Sequence, residues 1–149
     1  REQQDGQSKR LWVGVERDDL VEVRGALARG ANVNWENPSF ENRTALHRAA
    51  ELGRETVGAV LLEVGGAKHG QGDDNGDTAL HRAAIACDLA FVKLLLHAGA
   101  DPRKKNGREK TPRDLAEQRR SRAGQPEVVK VLRKAERKAR SARPRSARH

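Results

Sequence analysis

The phrase Thr44-Ala45-Leu46-His47-Arg48-Ala49-Ala50 recurs unchanged as Thr78-Ala79-Leu80-His81-Arg82-Ala83-Ala84, 34 residues later. An eroded third copy opens at Thr111-Pro112, a further 33 residues on. Identity over a whole phrase at such a period means that the chain stacks one small unit. A stacked unit buries its apolar side only against its neighbours, so the product is an extended surface rather than an enclosed reaction centre.

Composition agrees with thin helical layers. Only 36% of the 149 residues are hydrophobic and 3% aromatic, which excludes a large aromatic core. The apolar residues are mostly Ala, Leu and Val, and Ala lets neighbouring helices approach closely. No apolar run reaches the roughly 18 residues that a membrane span needs. The amino end, Arg1 to Arg10, is polar and does not read as a secretory leader. A lone cysteine, Cys87, cannot form an internal disulfide and fits a reducing, intracellular compartment, cytoplasmic or nuclear. A chain that begins at Arg1 and holds no methionine reads as a piece of a larger protein.

The net charge of +9 is unevenly spread. Residues 1–101 hold 12 Lys/Arg against 16 Asp/Glu, a net of −4, whereas residues 102–149 hold 18 against 5, a net of +13. An anionic partner would therefore meet the carboxy-terminal part first.

Each repeat reads as two short helices. Asp74-Asn75-Gly76-Asp77 supplies turn geometry, and Thr78 can cap the helix that follows. The periodicity predicts helices over about 79–87 and 89–98, stopped at Gly99. The preceding unit predicts helices over 46–53 and 56–64, closed by Gly65-Gly66. Gly66 to Thr78 and Gly99 to Thr111 are both 12 positions, but Gly30 to Thr44 is 14, so the first loop is two residues longer. A disguised first repeat starts near Leu11, with Val23 matching Val92 and Gly30 matching Gly99 at an offset of 69. A fourth starts at Thr111, its second helix beginning near Glu127 and fading beyond Arg133, where Pro144 would stop any helix.

These residues resemble ankyrin repeats. The pattern Asp-x-x-Gly-x-Thr-x-Leu-His-x-Ala-Ala, then an apolar helix, then Gly-Ala-Asp, is followed across 74–101, with Cys87-Asp88 departing from the usual turn pair. The resemblance implies an all-α solenoid of about four helix-turn-helix repeats with hairpin loops, plus a basic tail. Repeats are expected at about 9–41, 42–75, 76–108 and 109–136, after a flexible segment 1–8 and before a disordered basic tail 137–149. Gly30-Ala31-Asn32-Val33-Asn34-Trp35 and the longer loop after it are similar to the ankyrin segment of Arf-GTPase-activating proteins of the coiled-coil, ankyrin and PH class. The carboxy half is similar to the ankyrin tail of zeta-type diacylglycerol kinases. Neither catalytic domain is present in these residues, and one cysteine cannot build a four-cysteine zinc finger.

His47 and His81 read as structural, because they recur once per repeat and the resemblance places them at the hairpin base. The run Gly65 to Gly72 lacks the Lys-Ser/Thr of a phosphate loop. Asp73, Asp74 and Asp77 lack the glutamate of a calcium loop. No nucleophile stands beside a base, so an enzyme, a cofactor and a small-molecule substrate are all unexpected.

The expected function is protein–protein interaction through a concave, hairpin-lined face, as a scaffold or adaptor part of a larger protein. The long loop supplies Trp35, Glu36, Asn37 and Phe40. Helix positions Arg48, Glu51, Arg82 and Ile85 are expected to face the groove, with Arg48 and Arg82 as a basic ladder opposite Glu51, Asp73 and Asp74. His69, Arg103, Lys104 and Lys105 complete the partner-binding set. A second reading uses the tail: Arg133, Lys134, Arg137, Lys138 and Arg140 would bind phosphates of nucleic acid or of an anionic membrane. In that reading Ser141 and Ser146, each close behind arginines, would be phosphorylation sites that weaken such binding. A third reading makes the chain a regulatory module of a parent Arf-GTPase-activating protein or lipid kinase.

Overall fold

A computed structural model describes residues 2–142 of the chain. They form eight α-helices in four antiparallel pairs: α1 (Glu2–Glu16) with α2 (Leu20–Ala28), α3 (Ala45–Leu52) with α4 (Glu55–Glu63), α5 (Ala79–Ala86) with α6 (Leu89–His97), and α7 (Pro112–Glu117) with α8 (Gln125–Ser141). The first helices α1, α3, α5 and α7 touch in succession, as do the second helices α2, α4, α6 and α8. Two layers of stacked helices result, and no pair is complete without its neighbour.

The seven-residue echo is a core register. Leu11, Leu46 and Leu80 are buried at matching positions of α1, α3 and α5. Ala49 and Ala50 pack beside Ala83 and Ala84, all fully buried. The second layer contributes Val23, Leu61, Leu95 and Leu132. Helices α2 to α6 are only two or three turns long and would be marginal alone, so their stability comes from this packing.

Thr44 and Thr78 cap α3 and α5 as the sequence predicts, with a partner that propensity alone does not name. The N–H of His47 donates to Thr44 Oγ1, while the N–H of Thr44 donates to His47 Nδ1 at 3.1 Å. Thr78 and His81 repeat the arrangement, and Thr111 uses Asp114 in the same way. This is a reciprocal capping box with histidine where glutamate is more usual.

The loops between pairs are fingers closed by one recurring hydrogen bond. The N–H donors of Asn37, Asp73 and Asn106 meet the carbonyls of Arg43, Asp77 and Lys110 at 2.9, 3.0 and 2.9 Å. The first finger spans two more residues than the others, and the surplus is wound into a 3-10 turn at Pro38–Phe40. Among the described residues the only β-type pairing outside strands is the isolated bridge Asn37–Arg43, so the fingers are hairpin-like turns rather than strands. Gly76 shows why a finger needs glycine. Its φ is 74°, and a Cβ there would stand 2.7 Å from the N of Gly107 in the next finger.

Two ends differ from expectation. Residues 5–8, assigned to a flexible segment, are helical because α1 begins at Glu2. Ser8 is buried, and its Oγ accepts from the Asn32 N–H at 2.9 Å, which ties this helix to the turn after α2. At the other end α8 runs to Ser141, so residues 137–141, assigned to the tail, close a helix. No proline interrupts it before that point, and Lys/Arg in its last turn suit the negative end of the helix dipole. The readings made for Pro144, Ser146 and the rest of 143–149 lie outside the described residues.

Candidate interaction surface

The fingers stack onto one another as well as onto helices. The Asp74 N–H donates to Glu41 O, and the Gly107 N–H donates to Asn75 O, both at 2.9 Å. Side chains repeat the link: Asn42 Nδ2 donates to Asp74, Asn75 Nδ2 to Glu41, and Asn106 Nδ2 to Asp77. The buried histidines tie helices to this row. Each Nδ1 accepts a backbone N–H, so Nε2 carries the proton; His47 donates it to Asp77 O at 2.7 Å and His81 to Lys110 O at 3.0 Å. Burial pushes both imidazoles below their ordinary pKa, against the upward pull of those carbonyls and of nearby Asp73 or Asp77. They are neutral spacers between repeats.

Asp73 is the organising carboxylate of the second finger. Its side chain is 0% exposed. One oxygen accepts from the N–H groups of Asn75 and Asp77, and the other meets Arg43 at 3.3 Å and Arg82 at 3.1 Å. Burial alone would raise its pKa, but the Asp77 N–H, the Arg82 guanidinium and the Asn75 N–H outweigh it and hold the carboxyl below its usual value. Asn106 plays the same part in the third finger, accepting from the N–H groups of Arg108 and Lys110.

The basic ladder is therefore largely neutralised within the chain. Arg48 meets Glu16 at 2.9 Å and Glu51 at 3.3 Å. Arg82 meets Asp73 and Asp77. Arg43 joins the network through Glu41, Glu51 and Asp73. With side chains only 20% and 14% exposed, Arg48 and Arg82 are cross-braces rather than free cations. Asp73 and Glu51 are correspondingly engaged, whereas Asp74 stays exposed on its finger.

The long loop divides in the same way. Asn37 is buried and caps the 3-10 turn by accepting from the Ser39 N–H. Phe40 packs inward on Trp12, ring centroids 5.1 Å apart, with the Arg48 guanidinium over it at 5.1 Å. Trp35 is half-buried, and Glu36 is exposed but accepts from Gln71 at 2.8 Å. Trp12 was not singled out in the sequence, since no periodic motif marks it; it is 4% exposed and anchors the first repeat.

Farther along, His69 is half-buried, and its Nδ1 finds no hydrogen-bond partner among the described residues. Lys104 donates to Gly70 O at 2.7 Å, while Arg103 and Lys105 make long, exposed pairs with Asp101 and Glu109. On α8, Arg133 lies 3.9 Å from Glu117. Lys134, Arg137, Lys138 and Arg140 form no ion pair among the described residues.

One groove joins fingers to first helices. It holds about 400 Å³ between the second finger (Asp74, Asn75) and the third (Gly107, Arg108), floored by Ile85 of α5 and Leu115 of α7. Of the expected set it brings together Ile85 and Asp74; Arg108 and Leu115 are additions. Leu115 follows the eroded Thr111 phrase, so the repeat spacing could have pointed to it.

The family model for ankyrin repeats, in three copies, matches residues 11–106. The chain belongs to the ankyrin-repeat family. Its ankyrin array is similar to part of human (Homo sapiens) diacylglycerol kinase iota, 30% identical over 121 residues, covering 76% of this chain and 10% of the kinase. It is also similar to zinc finger CCCH domain-containing protein 50 of Oryza sativa subsp. japonica, 36% identical over 115 residues, covering 66% of this chain and 17% of that protein. A third likeness is to a transient receptor potential cation channel subfamily A member 1 homolog of Caenorhabditis elegans, 40% identical over 87 residues, covering 58% and 7%. The chain thus spans a small fraction of each relative. Ankyrin repeats are non-catalytic interaction modules set within larger proteins, and the two-layer helical stack agrees with that family. Among the described residues no helix is long and apolar enough to cross a membrane.

Proposed function

We propose that this ankyrin array binds a partner protein in the groove between its finger tips and first helices. The observation that supports this most directly is the groove's mixed lining. Ile85 and Leu115 offer apolar contact, Asp74 and Arg108 offer opposite charges, and both charged residues stand on fingers held in place by hydrogen bonds. A rigid rim around an apolar floor lowers the ordering cost of binding. The intramolecular pairing of Arg48 and Arg82 shifts partner choice away from the basic ladder and toward Asp74, Ile85 and Arg108. Affinity capture followed by titration of the purified partner tests the proposal. Ile85→Arg is expected to weaken binding by about tenfold or more, near 1.4 kcal/mol, with the melting curve unchanged. Wild-type affinity for a folded Ile85→Arg and Arg108→Glu pair would remove the groove.

A second reading rests on the likeness to diacylglycerol kinase iota over most of the chain. In it, the array is an accessory region of a longer protein that carries a kinase domain, or a GTPase-activating one, elsewhere. Sequencing the full transcript decides this, since an open reading frame without either domain would dismiss it.

A further inference from the structure

The second-helix layer ends in an anomaly. Helices α2, α4 and α6 have nine residues each, but α8 has 17. At 1.5 Å per residue, α8 overhangs α6 by about 12 Å. The overhang passes over the turn after α6 and leaves a cleft of about 580 Å³. That volume lies within the range of roughly 300–1,000 Å³ typical of ligand-holding clefts.

The floor and rim of this cleft differ in chemistry. Val131, Ala135 and Ala139 of α8, with Ala142 just past its end, form one stripe at spacings of four, four and three, opposite Leu96 of α6. Lys134 and Lys138 flank the stripe, and Lys93 faces them from α6. Among the described residues no carboxylate lines the cleft. Among the described residues none of these three lysines forms an ion pair, whereas Arg43, Arg48 and Arg82 on the finger side are all paired. The cleft therefore presents an apolar trough between uncompensated cations.

We propose that this cleft is a second docking site, and that it takes an acidic amphipathic helix from another protein. The stripe from Val131 to Ala142 is about three turns, or ~16 Å, which matches a short helix laid beside α8. Larger apolar side chains of that helix would fill the trough that alanines leave open, and flanking Asp or Glu would meet Lys93, Lys134 and Lys138. The remaining residues of this chain do not suit the site, because 143–149 contain Arg143, Arg145 and Arg148 and no acid. A polynucleotide gains nothing from an alanine floor that has no aromatic ring for its bases. A bilayer is met by protruding apolar side chains, and here they lie below the lysines.

Fluorescence anisotropy with the 149-residue chain tests this. The probe is a labelled peptide of about 14 residues, roughly four turns, with leucines at i, i+3, i+7 and i+10 and glutamates on the flanks. The control peptide replaces each glutamate with lysine. The acidic peptide is expected to bind and the basic one not. Lys134→Glu with Lys138→Glu is expected to weaken binding about tenfold or more, and Ala139→Gln to weaken it with charge unchanged. Lys93→Glu, on the other helix, repeats the charge test if the α8 variant melts early. Ile85→Arg, in the finger groove, should leave the affinity unchanged. The proposal is overturned if the acidic peptide fails to bind or if charge reversal has no effect. It is equally overturned if phosphatidylserine vesicles, an oligonucleotide or a second copy of the chain occupies the lysine face and excludes the peptide.

Discussion

Replacing Gly58 with alanine sets two effects of opposite sign against each other. Gly58 sits inside α4, where alanine would ordinarily stabilise a helix by about 1 kcal/mol. A Cβ at this position, however, would stand 2.6 Å from Phe91 Cζ, 2.8 Å from its Cε2 and 3.3 Å from Leu94 Cδ2. Carbon pairs prefer about 3.5–4.0 Å. Phe91 is 0% exposed, so its ring has no solvent to retreat into. Such over-packing costs about 1–3 kcal/mol. The steric term wins, and the expected net loss is about 1 kcal/mol, or roughly 3 °C in Tm for a domain of this size. Phe91 holds the place in its repeat that Val57 holds in the previous one, and the neighbouring Gly58 of α4 receives its ring. Phe91→Leu should destabilise alone yet make room for the new methyl, giving a favourable coupling of about 1 kcal/mol in the double variant. Thermal unfolding followed by circular dichroism, on the four chains of the cycle, measures this. A rise in Tm for Gly58→Ala alone, or strictly additive losses, would refute the packing argument.

The paired histidines should make stability depend on pH. Both are held below the ordinary value of 6.5 in the fold, so the unfolded chain takes up their protons first. Stability is therefore full above pH 6.5 and declines as pH falls through that value, by at most about 2.7 kcal/mol per pH unit for two sites. Glu55, pushed above 4.5 by burial and then by Asp88, acts in the opposite sense over the lower part of this range. Urea midpoints at about pH 7.5 and 5 should differ, and His47→Gln with His81→Gln should remove most of the difference; an unaltered slope would assign it to other groups. At Asp73, Ala should cost about 3 kcal/mol, because two guanidinium groups and two N–H donors lose their acceptor. Asn should cost only about 1 kcal/mol, since Asn106 does the same work in the next finger. Equal melting temperatures for the two variants would show that acceptance from the finger N–H groups contributes little.

Repetition made the architecture readable. Thr44, Thr78 and Thr111 announced three helix starts, and the alanines beside them lie buried where first helices meet. The extra two residues before Thr44 showed in the count of positions, and they appear as the 3-10 turn at Pro38–Phe40. The departure at Cys87 was visible too. It takes the left-handed conformation, φ 54°, that Gly53 adopts at the equivalent point of the previous repeat. What the repeat could not mark was anything outside its period. Trp12 and the start of α1 lie in the disguised first unit, and the end of α8 runs past the last one.

Spacing along the chain fixes which faces of the helices are apolar, because 3.6-residue geometry needs no tertiary information. It therefore sufficed for the fold class, the number of stacked pairs and the loop lengths. Whether a charged side chain is free to meet a partner depends on residues about one repeat away in sequence. Arg48 finds Glu16, Arg43 finds Asp73, and Phe40 finds Trp12, none of which local pattern could pair. Tertiary structure thus removed the basic ladder from the finger groove, left Asp74, Ile85 and Arg108 there, and set around the trough beneath α8 three lysines that form no ion pair among the described residues. The seven-residue phrase specifies how units stack, and the partners of the intervening charges specify which surface the stack leaves open.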